Sequence, residues 1–334
     1  MPEKTETPEP TEELEPTEAP QACMCSQVPV DRIQKAATVA RQASLAEPTP
    51  SSSQSKPSQP MSQPAPQPTS THPTKGTRSG PEEQRLQGHW LLAKMGKRVL
   101  RPGGMEMTRR ILGQAKPTAA DRIVEFGPGV GKTAELLLAV KPAKYWGVDV
   151  RDDSDNPLLD VLSGYGQAEL VNADAKATGL EAGCASLVVG EAMLTMQSDR
   201  DKLAVMREAH RILAPGGRYA LHEMGFKADA PSQADVGKQL SRSIKVGARP
   251  LTTEGWTELL DEAGFDVVYS TTNKMALLEV RRIIADEGLG GFAKFAFNVA
   301  RNPAARKRVL AMRATFKKNQ QSISAVGFVA VKRA

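Results

Sequence analysis

Hydrophobic and polar residues follow two different periods along residues 85–334. Stretches with a helical repeat predict helices at 86–100, 105–112, 201–213 and 253–263. Short apolar runs bounded by turn residues predict the strands, at 122–126, 145–150, 168–172, 185–189, 218–221, 265–269 and 324–331. Because helices and strands alternate, the pattern predicts an α/β fold with a mainly parallel sheet.

Residues 1–84 lack this pattern, and we predict that they form a disordered tail. They hold 15 of the 24 prolines in the chain and no tryptophan, tyrosine or phenylalanine. Such a segment has too little to bury to offset the entropy of ordering. The one exception is a short helical repeat that follows Asp31 and continues to Arg41. The folded domain is therefore expected at 85–334.

Charge divides the chain at the same place. Residues 1–84 carry 7 Lys and Arg against 11 Asp and Glu, a net charge of −4, so the overall +6 leaves +10 on residues 85–334. A basic domain suits an acidic small molecule, a nucleic acid or an anionic membrane surface. A basic surface that only faces solvent explains the same net charge, so the charge does not identify the binding partner.

Cysteine and histidine are too scarce for a disulfide framework or a four-ligand zinc site. The three cysteines are Cys23, Cys25 and Cys184, and the chain has four histidines. We therefore predict no metal site and a reducing compartment. The acidic, proline-rich start differs from a secretory signal, and no apolar run approaches the ~18 residues of a membrane span. A soluble, cytoplasmic protein is expected.

A glycine-rich turn at 124–133, Val-Glu-Phe-Gly-Pro-Gly-Val-Gly-Lys-Thr, stands between a predicted strand and a helical stretch. A strand, a glycine turn and a helix start together form a site for a polar or anionic nucleotide-like ligand. The phosphate-binding loop requires glycine where this chain has Phe126. The dinucleotide motif requires glycine where it has Lys132. Both of these interpretations fail.

Acidic residues stand at the carboxyl ends of five predicted strands. They are Glu125, Asp149, Asp174, Glu191 and Glu223. In an open α/β sheet the ligand binds beyond these strand ends. Capping of the helices that follow would explain one or two of the five. The five together favour a binding site at this edge of the sheet.

The motif present is an acidic residue followed by three alternate glycines, from Glu125 to Gly131. This motif resembles motif I of the class I S-adenosylmethionine-dependent methyltransferases of the small-molecule type (methyltransferase type 11-like). Residues 211–218, Arg-Ile-Leu-Ala-Pro-Gly-Gly-Arg, resemble the turn before the fifth strand of that family. The resemblance covers roughly residues 85–334. It implies a Rossmann-like sheet of seven strands flanked by helices.

The resemblance also implies a cofactor, S-adenosylmethionine, and a set of residues that bind it. Asp149, 18 residues after Gly131, matches the residue that hydrogen-bonds the ribose hydroxyls. Asp174 matches the contact to the adenine amino group, and the N–H of Ala175 the contact to a ring nitrogen. The full predicted set is Glu125, Gly127, Pro128, Gly129, Gly131, Asp149, Asp174, Ala175 and Glu191.

Proton transfer is required only when the acceptor carries a proton at the operating pH. His222 and Glu223, at the end of the fifth predicted strand, are the candidate catalytic residues. Alternation along a strand predicts that only one of the two faces the cleft. His89, beside Trp90 in the first predicted helix, is a further candidate and would belong to a lid over the cofactor.

The acceptor depends on elements added to the sheet, above all an insertion at about 275–320. This insertion contains ten Lys and Arg, against three acidic residues, and four phenylalanines. It predicts a helical hairpin packed on the sheet, a cap over the substrate, or a surface that grips nucleic acid. We expect a small-molecule acceptor. A nucleic-acid or protein methyltransferase and a non-catalytic cofactor-binding scaffold are the alternatives, and the sequence indicates no oligomeric state.

Overall fold

The computed structural model describes residues 82–151 and 157–333. The predicted tail and its short helix lie outside these residues, except for Glu82–Gln84, which form a short 3-10 helix. The strands are β1 Arg122–Phe126, β2 Lys144–Asp149, β3 Ala168–Asn172, β4 Ala185–Glu191, β5 Leu213–Phe226, β6 Leu251–Thr252, β7 Phe265–Lys274 and β8 Ile323–Lys332. All seven predicted strands are present, and β6 is a two-residue addition.

The sheet has the strand order β3-β2-β1-β4-β5-β8-β7, with β6 paired to β5. The first five strands in this order are parallel, and β8 runs antiparallel to both β5 and β7. The order changes direction between β1 and β4, which places a switch point beside the glycine turn. The predicted α/β, Rossmann-like sheet flanked by helices is confirmed.

The helices are α1 Gly88–Lys94, α2 Gly104–Ala115, α3 Lys132–Ala139, α4 Pro157–Leu162, α5 Asp199–Ile212, α6 Gln233–Ile244, α7 Thr253–Glu262, α8 Val280–Arg301 and α9 Pro303–Lys318. The first predicted helix was expected to reach Leu100, but α1 ends at Lys94. Gly96 has a φ of 101°, in the left-handed region, and stops the helix there. The chain between α1 and α2 is consequently an irregular loop.

Alternation along the strands divides the sheet residues between two cores. In β4, Leu187 and Val189 belong to one core with α2, α3 and α4, whereas Val188 belongs to the other with α5 and α7. Successive residues of a strand point to opposite faces of the sheet, and helices cover both faces here, so apolar residues are needed at consecutive positions. Burial of each large side chain contributes about 1.5–3 kcal/mol, so the two cores fix the sheet on which the site is built.

The insertion at about 275–320 forms α8 and α9 and contributes to a third core with α1 and α6. Phe295 and Phe316 are buried in this core, whereas Phe297 is 58% exposed. Helix α8 is interrupted at Gly288, where φ is 74°. Most of its aromatic residues therefore pack inward, as the hairpin interpretation predicts.

Two acidic residues before this interruption fasten the α1–α2 loop. Glu287 Oε1 accepts hydrogen bonds from the backbone N–H groups of Arg98 and Val99, at 2.9 and 2.8 Å. Asp286 Oδ1 accepts from the N–H of Met105 at 3.0 Å. The fully buried ammonium of Lys97 lies within 3.6 Å of both carboxylates. Helix α8 thus holds the loop by its backbone.

No helix among the described residues is long and apolar enough to cross a bilayer.

Candidate active site

A cavity of about 320 Å³ opens at the carboxyl ends of β1, β2 and β4. One end is formed by the glycine turn at 127–130, Lys132 and Asp149. The α1–α2 loop closes over it with Leu100, Arg101 and Pro102. Small-molecule sites have volumes of about 300–1,000 Å³, so the cavity has the size of a ligand site.

The three glycines of the motif all adopt left-handed backbone conformations. The φ angles of Gly127, Gly129 and Gly131 are 63°, 58° and 81°. Residues with a Cβ rarely adopt this region, which explains the glycines. A Cβ on Gly131 would also come within 3.0 Å of Val161, on α4. The turn leads directly into α3. The N–H groups in the first turn of a helix have no intrahelical acceptor and can bind an anionic group of a ligand.

The end of β2 places polar and flat apolar groups at one rim of the cavity. Asp149 lines the cavity, and its Oδ1 accepts a hydrogen bond from the N–H of Arg151 at 3.1 Å. Val150, also in the lining, is 65% exposed. The guanidinium of Arg151 lies 3.9 Å from the centre of the Trp90 ring. This rim could contact the sugar and base of a nucleoside.

Glu191 ends β4 and lies at the centre of a buried polar network beside the cavity. Its Oε2 is 3.0 Å from Arg101 Nη1 and accepts a hydrogen bond from Thr133. Its Oε1 accepts from Thr108 Oγ1 at 2.6 Å and lies 2.8 Å from His222 Nδ1. Burial would raise the pKa of this carboxyl, but Arg101, His222 and Thr108 outweigh it and lower the pKa to about 2. Glu191 is therefore ionised.

His222 is fully buried, and both of its ring nitrogens have partners. Its Nε2 accepts a hydrogen bond from the N–H of Gly103 at 3.1 Å. Since Nε2 accepts, Nδ1 carries the hydrogen and donates to Glu191. His222 does not line the cavity, so this histidine connects β5 to the α1–α2 loop rather than facing a ligand.

Glu223 differs from its predicted position. The sequence placed it at the end of its strand, but β5 continues to Phe226. Its carboxylate accepts hydrogen bonds from the backbone N–H groups of Met193, Leu194 and Thr195, at 2.9, 2.6 and 3.0 Å. Thr195 Oγ1 adds a fourth bond at 2.6 Å. Glu223 is fully buried and fixes the segment after β4 instead of reaching the cavity.

Glu125 was predicted to contact the cofactor, and the structure places its carboxyl inside the sheet. It is 4% exposed and is absent from the cavity lining. Tyr145 Oη, on β2, donates to Glu125 Oε2 at 2.6 Å. Burial raises the pKa of Glu125 to about 8, the Tyr145 bond opposes this, and the negative charge of Glu191 adds to it. The carboxyl is protonated at neutral pH.

Asp174 and Ala175 follow β3 as predicted but do not line the cavity. The Asp174 side chain is 51% exposed, and its Oδ2 lies 3.4 Å from Lys176 Nζ. Ala175 is 8% exposed and packs in the core with Val148. Their contact with an adenine ring stays a prediction.

The other end of the cavity is apolar and rich in methionine. Its lining includes Met193, Met196, Met224, Met275, Met312, Leu92, Ile244, Leu277 and Phe316. Four of these residues, from Met275 to Phe316, belong to the insertion at about 275–320. Methionine side chains are flexible and polarisable, so this surface can adapt to apolar ligands of different shapes.

His89 lines the same cavity from α1. Its ring packs against Trp90 with centroids 4.8 Å apart, and no ring nitrogen is hydrogen-bonded within the described residues. Burial, with a smaller contribution from the Arg151 charge, lowers its pKa to about 4. At neutral pH His89 is therefore an uncharged imidazole that faces the ligand space.

Sequence reasoning missed Arg101, which stands between the first two predicted helices. A buried acidic residue at the end of β4 needs a cation, and this requirement is the signal that could have pointed to it. Thr108 and Thr133 left no such signal, because hydroxyls occur throughout the chain.

Comparison with known proteins agrees with this geometry. The family model described as a methyltransferase domain matches residues 92–270, more than half of the chain. The chain belongs to this family. It is a class I S-adenosylmethionine-dependent methyltransferase. The predicted cofactor is thereby confirmed, whereas the individual residues that bind it stay predictions.

One curated relative of this methyltransferase is an uncharacterized protein of Haemophilus influenzae. It is 28% identical over 214 residues, which are 63% of this chain and 84% of the relative. Its description gives no substrate, so it does not narrow the choice of acceptor.

Solved structures show the same fold at low sequence identity. The MccD protein has a TM-score of 0.55 at 16% identity, over 68% of this chain and 96% of that one. Phosphoethanolamine N-methyltransferase 2 of Haemonchus contortus, in complex with phosphomonomethylethanolamine and S-adenosylhomocysteine, has a TM-score of 0.58 at 18% identity. That match covers 74% of this methyltransferase and 58% of the Haemonchus contortus enzyme. The [4+2]-cyclase SpnF has a TM-score of 0.55 at 17% identity, over 73% and 93% of the two chains. Since a cyclase shares the fold, the fold alone does not define the reaction.

Proposed function

We propose that this enzyme transfers the methyl group of S-adenosylmethionine to a small, mostly apolar acceptor. The observation that carries the proposal is the continuous cavity, polar at the glycine turn and apolar at the insertion. A ligand at the polar end and another at the apolar end would meet inside one enclosure. The insertion, with Met275, Leu277, Met312 and Phe316 in the lining, acts as the cap over the acceptor.

The cofactor would lie along the glycine turn. Its carboxylate would face the first-turn N–H groups of α3, and the ribose hydroxyls would donate to Asp149. Val150 and Trp90 offer apolar surface for the base. S-adenosylmethionine supplies a methyl group activated by a positive sulfur. The chain mainly aligns the two ligands and excludes water, and alignment contributes up to about 7–11 kcal/mol.

We propose His89 as the residue that accepts a proton from an acceptor that carries one. It lines the cavity, is uncharged at neutral pH and has a ring nitrogen without a hydrogen bond to any described residue. The two residues chosen from the sequence, His222 and Glu223, are fully buried and hydrogen-bonded to the protein. We assign them positioning roles, His222 toward the α1–α2 loop and Glu223 toward the segment after β4.

The burial of aromatic residues argues against a nucleic-acid substrate. Stacking on bases requires exposed rings. Phe295 and Phe316 are 5% and 6% exposed and pack in the third core, so Phe297, 58% exposed, is the one largely exposed phenylalanine of the insertion. A cavity with an apolar end also suits a small molecule better than a side chain on the flat surface of a protein.

Calorimetry with S-adenosylmethionine, followed by a screen of a metabolite extract for transfer of labelled methyl, tests the proposal. We expect binding that weakens at least tenfold in Asp149→Ala, with Asp160→Ala, on α4 and outside the cavity, as the matched control. Label should appear in a small, apolar-extractable product. Label found only in protein or nucleic acid would contradict the proposed acceptor class. Binding of the cofactor without any transfer would favour a scaffold.

A further inference from the structure

A second cavity of about 310 Å³ lies next to the first, beneath the junction of the insertion with β7. Three residues, Met275, Leu277 and Phe316, border both cavities. Met275 and Phe316 are 5% and 6% exposed, so they form the wall between an inner and an outer space. We call the second space the outer cavity.

The spacing of residues on α9 shows how the two cavities meet. Met312 and Phe316, one turn apart, line the inner cavity. Arg313, Phe316 and Lys317 line the outer cavity from α9, and Gln320 lines it from just beyond the helix. Residues separated by three or four positions share a helix face, so adjacent faces of α9 serve the two cavities and Phe316 stands at their boundary.

The outer cavity is positively charged. Arg281, Arg313 and Lys317 line it, and none of their charged side-chain groups forms an ion pair or hydrogen bond within the described residues. In the described part of the chain, Glu279 is the one acidic residue of its lining. Elsewhere on this insertion Arg282 pairs with Glu106 at 2.9 Å, so the region does neutralise some of its cations. The three at the outer cavity are left available.

The first turn of α8 adds to this positive potential. The helix begins at Val280 in the lining of the outer cavity, and its N-cap residue Glu279 makes no side-chain capping bond. Uncapped N–H groups at a helix start attract anions. The helix start and the three cations therefore favour the same kind of ligand group.

We propose that the acceptor is amphipathic, with an apolar body in the inner cavity and an anionic group, a carboxylate or a phosphate, held by Arg281, Arg313 and Lys317 in the outer cavity. This inference rests on the proposed function, because it assumes that the inner cavity receives the acceptor. Movement of the Met275 and Phe316 side chains connects the two spaces, and methionine has the rotamer freedom to allow it.

The anionic group would be distant from the transferred methyl. It would lie across the wall from the glycine turn, so its contacts fix the position of the acceptor and select its class. Arginine binds carboxylates and phosphates through paired N–H donors, and lysine contributes a point charge. The outer cavity thereby becomes a specificity site and not a site of reaction.

The test uses three probes of equal chain length on the full-length protein with S-adenosylhomocysteine bound: decanoate, decyl phosphate and decanol. Calorimetry should show that decanoate or decyl phosphate binds about tenfold more tightly than decanol, because only the anions attract the three exposed cations. In Arg313→Gln/Lys317→Gln the preference should fall below about threefold. The control, Lys307→Gln/Lys318→Gln, removes the same charge from α9 outside both cavities and should keep it.

The outcomes separate this inference from the proposed function. Equal affinity for decanol and both anions in the unmodified protein would overturn the anionic site, even if methyl transfer to an apolar metabolite is found. The anionic site is also refuted if the control variant loses the preference as fully as the test variant, because general charge would then explain it. Preference for an anion without any methyl transfer would leave the site standing and refute the proposed function. The ratio of decanoate to decyl phosphate affinity identifies which anion the site fits.

Discussion

Arg101 Nη1 lies 3.0 Å from Glu191 Oε2, and each of the two side chains is only 9% exposed. The loop that closes over the glycine-turn end of the cavity is thus joined to the end of β4 by a buried ion pair. Removing one member of such a pair leaves an uncompensated charge in a nearly dry environment.

We therefore expect Arg101→Met to lower the free energy of unfolding by about 3–5 kcal/mol, measured by urea titration. Adding Glu191→Gln should recover a large part of this loss, because the remaining partners of residue 191 suit a neutral amide. Arg98→Met is the matched control. Arg98 is 42% exposed and pairs with Glu135 at 2.5 Å, so its loss should cost less than about 1 kcal/mol. Equal costs for the two arginines would contradict the buried-pair interpretation.

The protonated carboxyl of Glu125 predicts a specific pH dependence of stability. Its pKa is about 8 in the folded protein and 4.5 without burial. Between these values the unfolded state releases a proton that the folded state keeps. The protonated Glu125 therefore makes its full contribution to the free energy of unfolding below about pH 4.5. This contribution falls by about 1.4 kcal/mol per pH unit as the pH rises toward 8.

Glu125→Gln removes this ionisation and keeps an oxygen that can accept from Tyr145. We expect the variant to lose the stability slope between pH 5 and 8 and to be more stable than the unmodified protein near pH 8. Chemical denaturation at several pH values measures this. Tyr145→Phe serves as the control, since it removes the hydrogen bond and leaves the carboxyl buried, so the slope should persist. Parallel pH profiles for the unmodified protein and Glu125→Gln would refute the assignment.

A glycine of the turn and a glycine of a helix should respond differently to substitution by alanine. Gly129 has a φ of 58°, and a Cβ added there would come no closer than 3.9 Å to a described neighbour. We expect Gly129→Ala to cost about 1–2 kcal/mol of stability through backbone strain and to weaken S-adenosylmethionine binding at least tenfold. In Gly113→Ala, inside α2 with open space around the added Cβ, stability should rise by up to about 1 kcal/mol with affinity unchanged.

His89 supplies a prediction for an acceptor that carries a proton. Its pKa of about 4 means that the ring can accept a proton throughout the neutral range and loses this capacity only as the pH falls toward 4. His89→Gln should lower kcat by about 100-fold with little change in cofactor affinity. His210→Gln, outside the cavity, should leave kcat unchanged. If kcat in the unmodified enzyme fell with an apparent pKa near 6.5 instead, His89 would not be the proton acceptor.

The parts of this protein that sequence reasoning recovers are those encoded locally. The glycine turn, the seven strands and the place of Asp149 at a strand end follow from short patterns. The orientation of Glu125 does not, because it depends on Tyr145, which comes 20 residues later and meets it only when β1 and β2 pair. Glu223 illustrates the same limit, since its partners Met193 to Thr195 lie in a segment about 30 residues earlier.

The insertion shows a different limit. Its composition predicted helices with phenylalanines and cations, and both are present. Phe295 is buried and Phe297 is exposed, although they are two residues apart. The helical repeat predicts that the two rings lie on different faces of α8. It does not predict which face packs in the third core, because that depends on the positions of α1 and α6.

The attachment of the α1–α2 loop to α8 has a kinetic consequence. Lys97, Asp286 and Glu287 join the α1–α2 loop, beside the glycine turn, to the insertion that lines the apolar end of the cavity. A movement of α8 that admits a ligand at the apolar end would therefore also displace the α1–α2 loop at the glycine-turn end. We therefore expect occupancy of one end of the cavity to change the rate at which a ligand enters or leaves the other end.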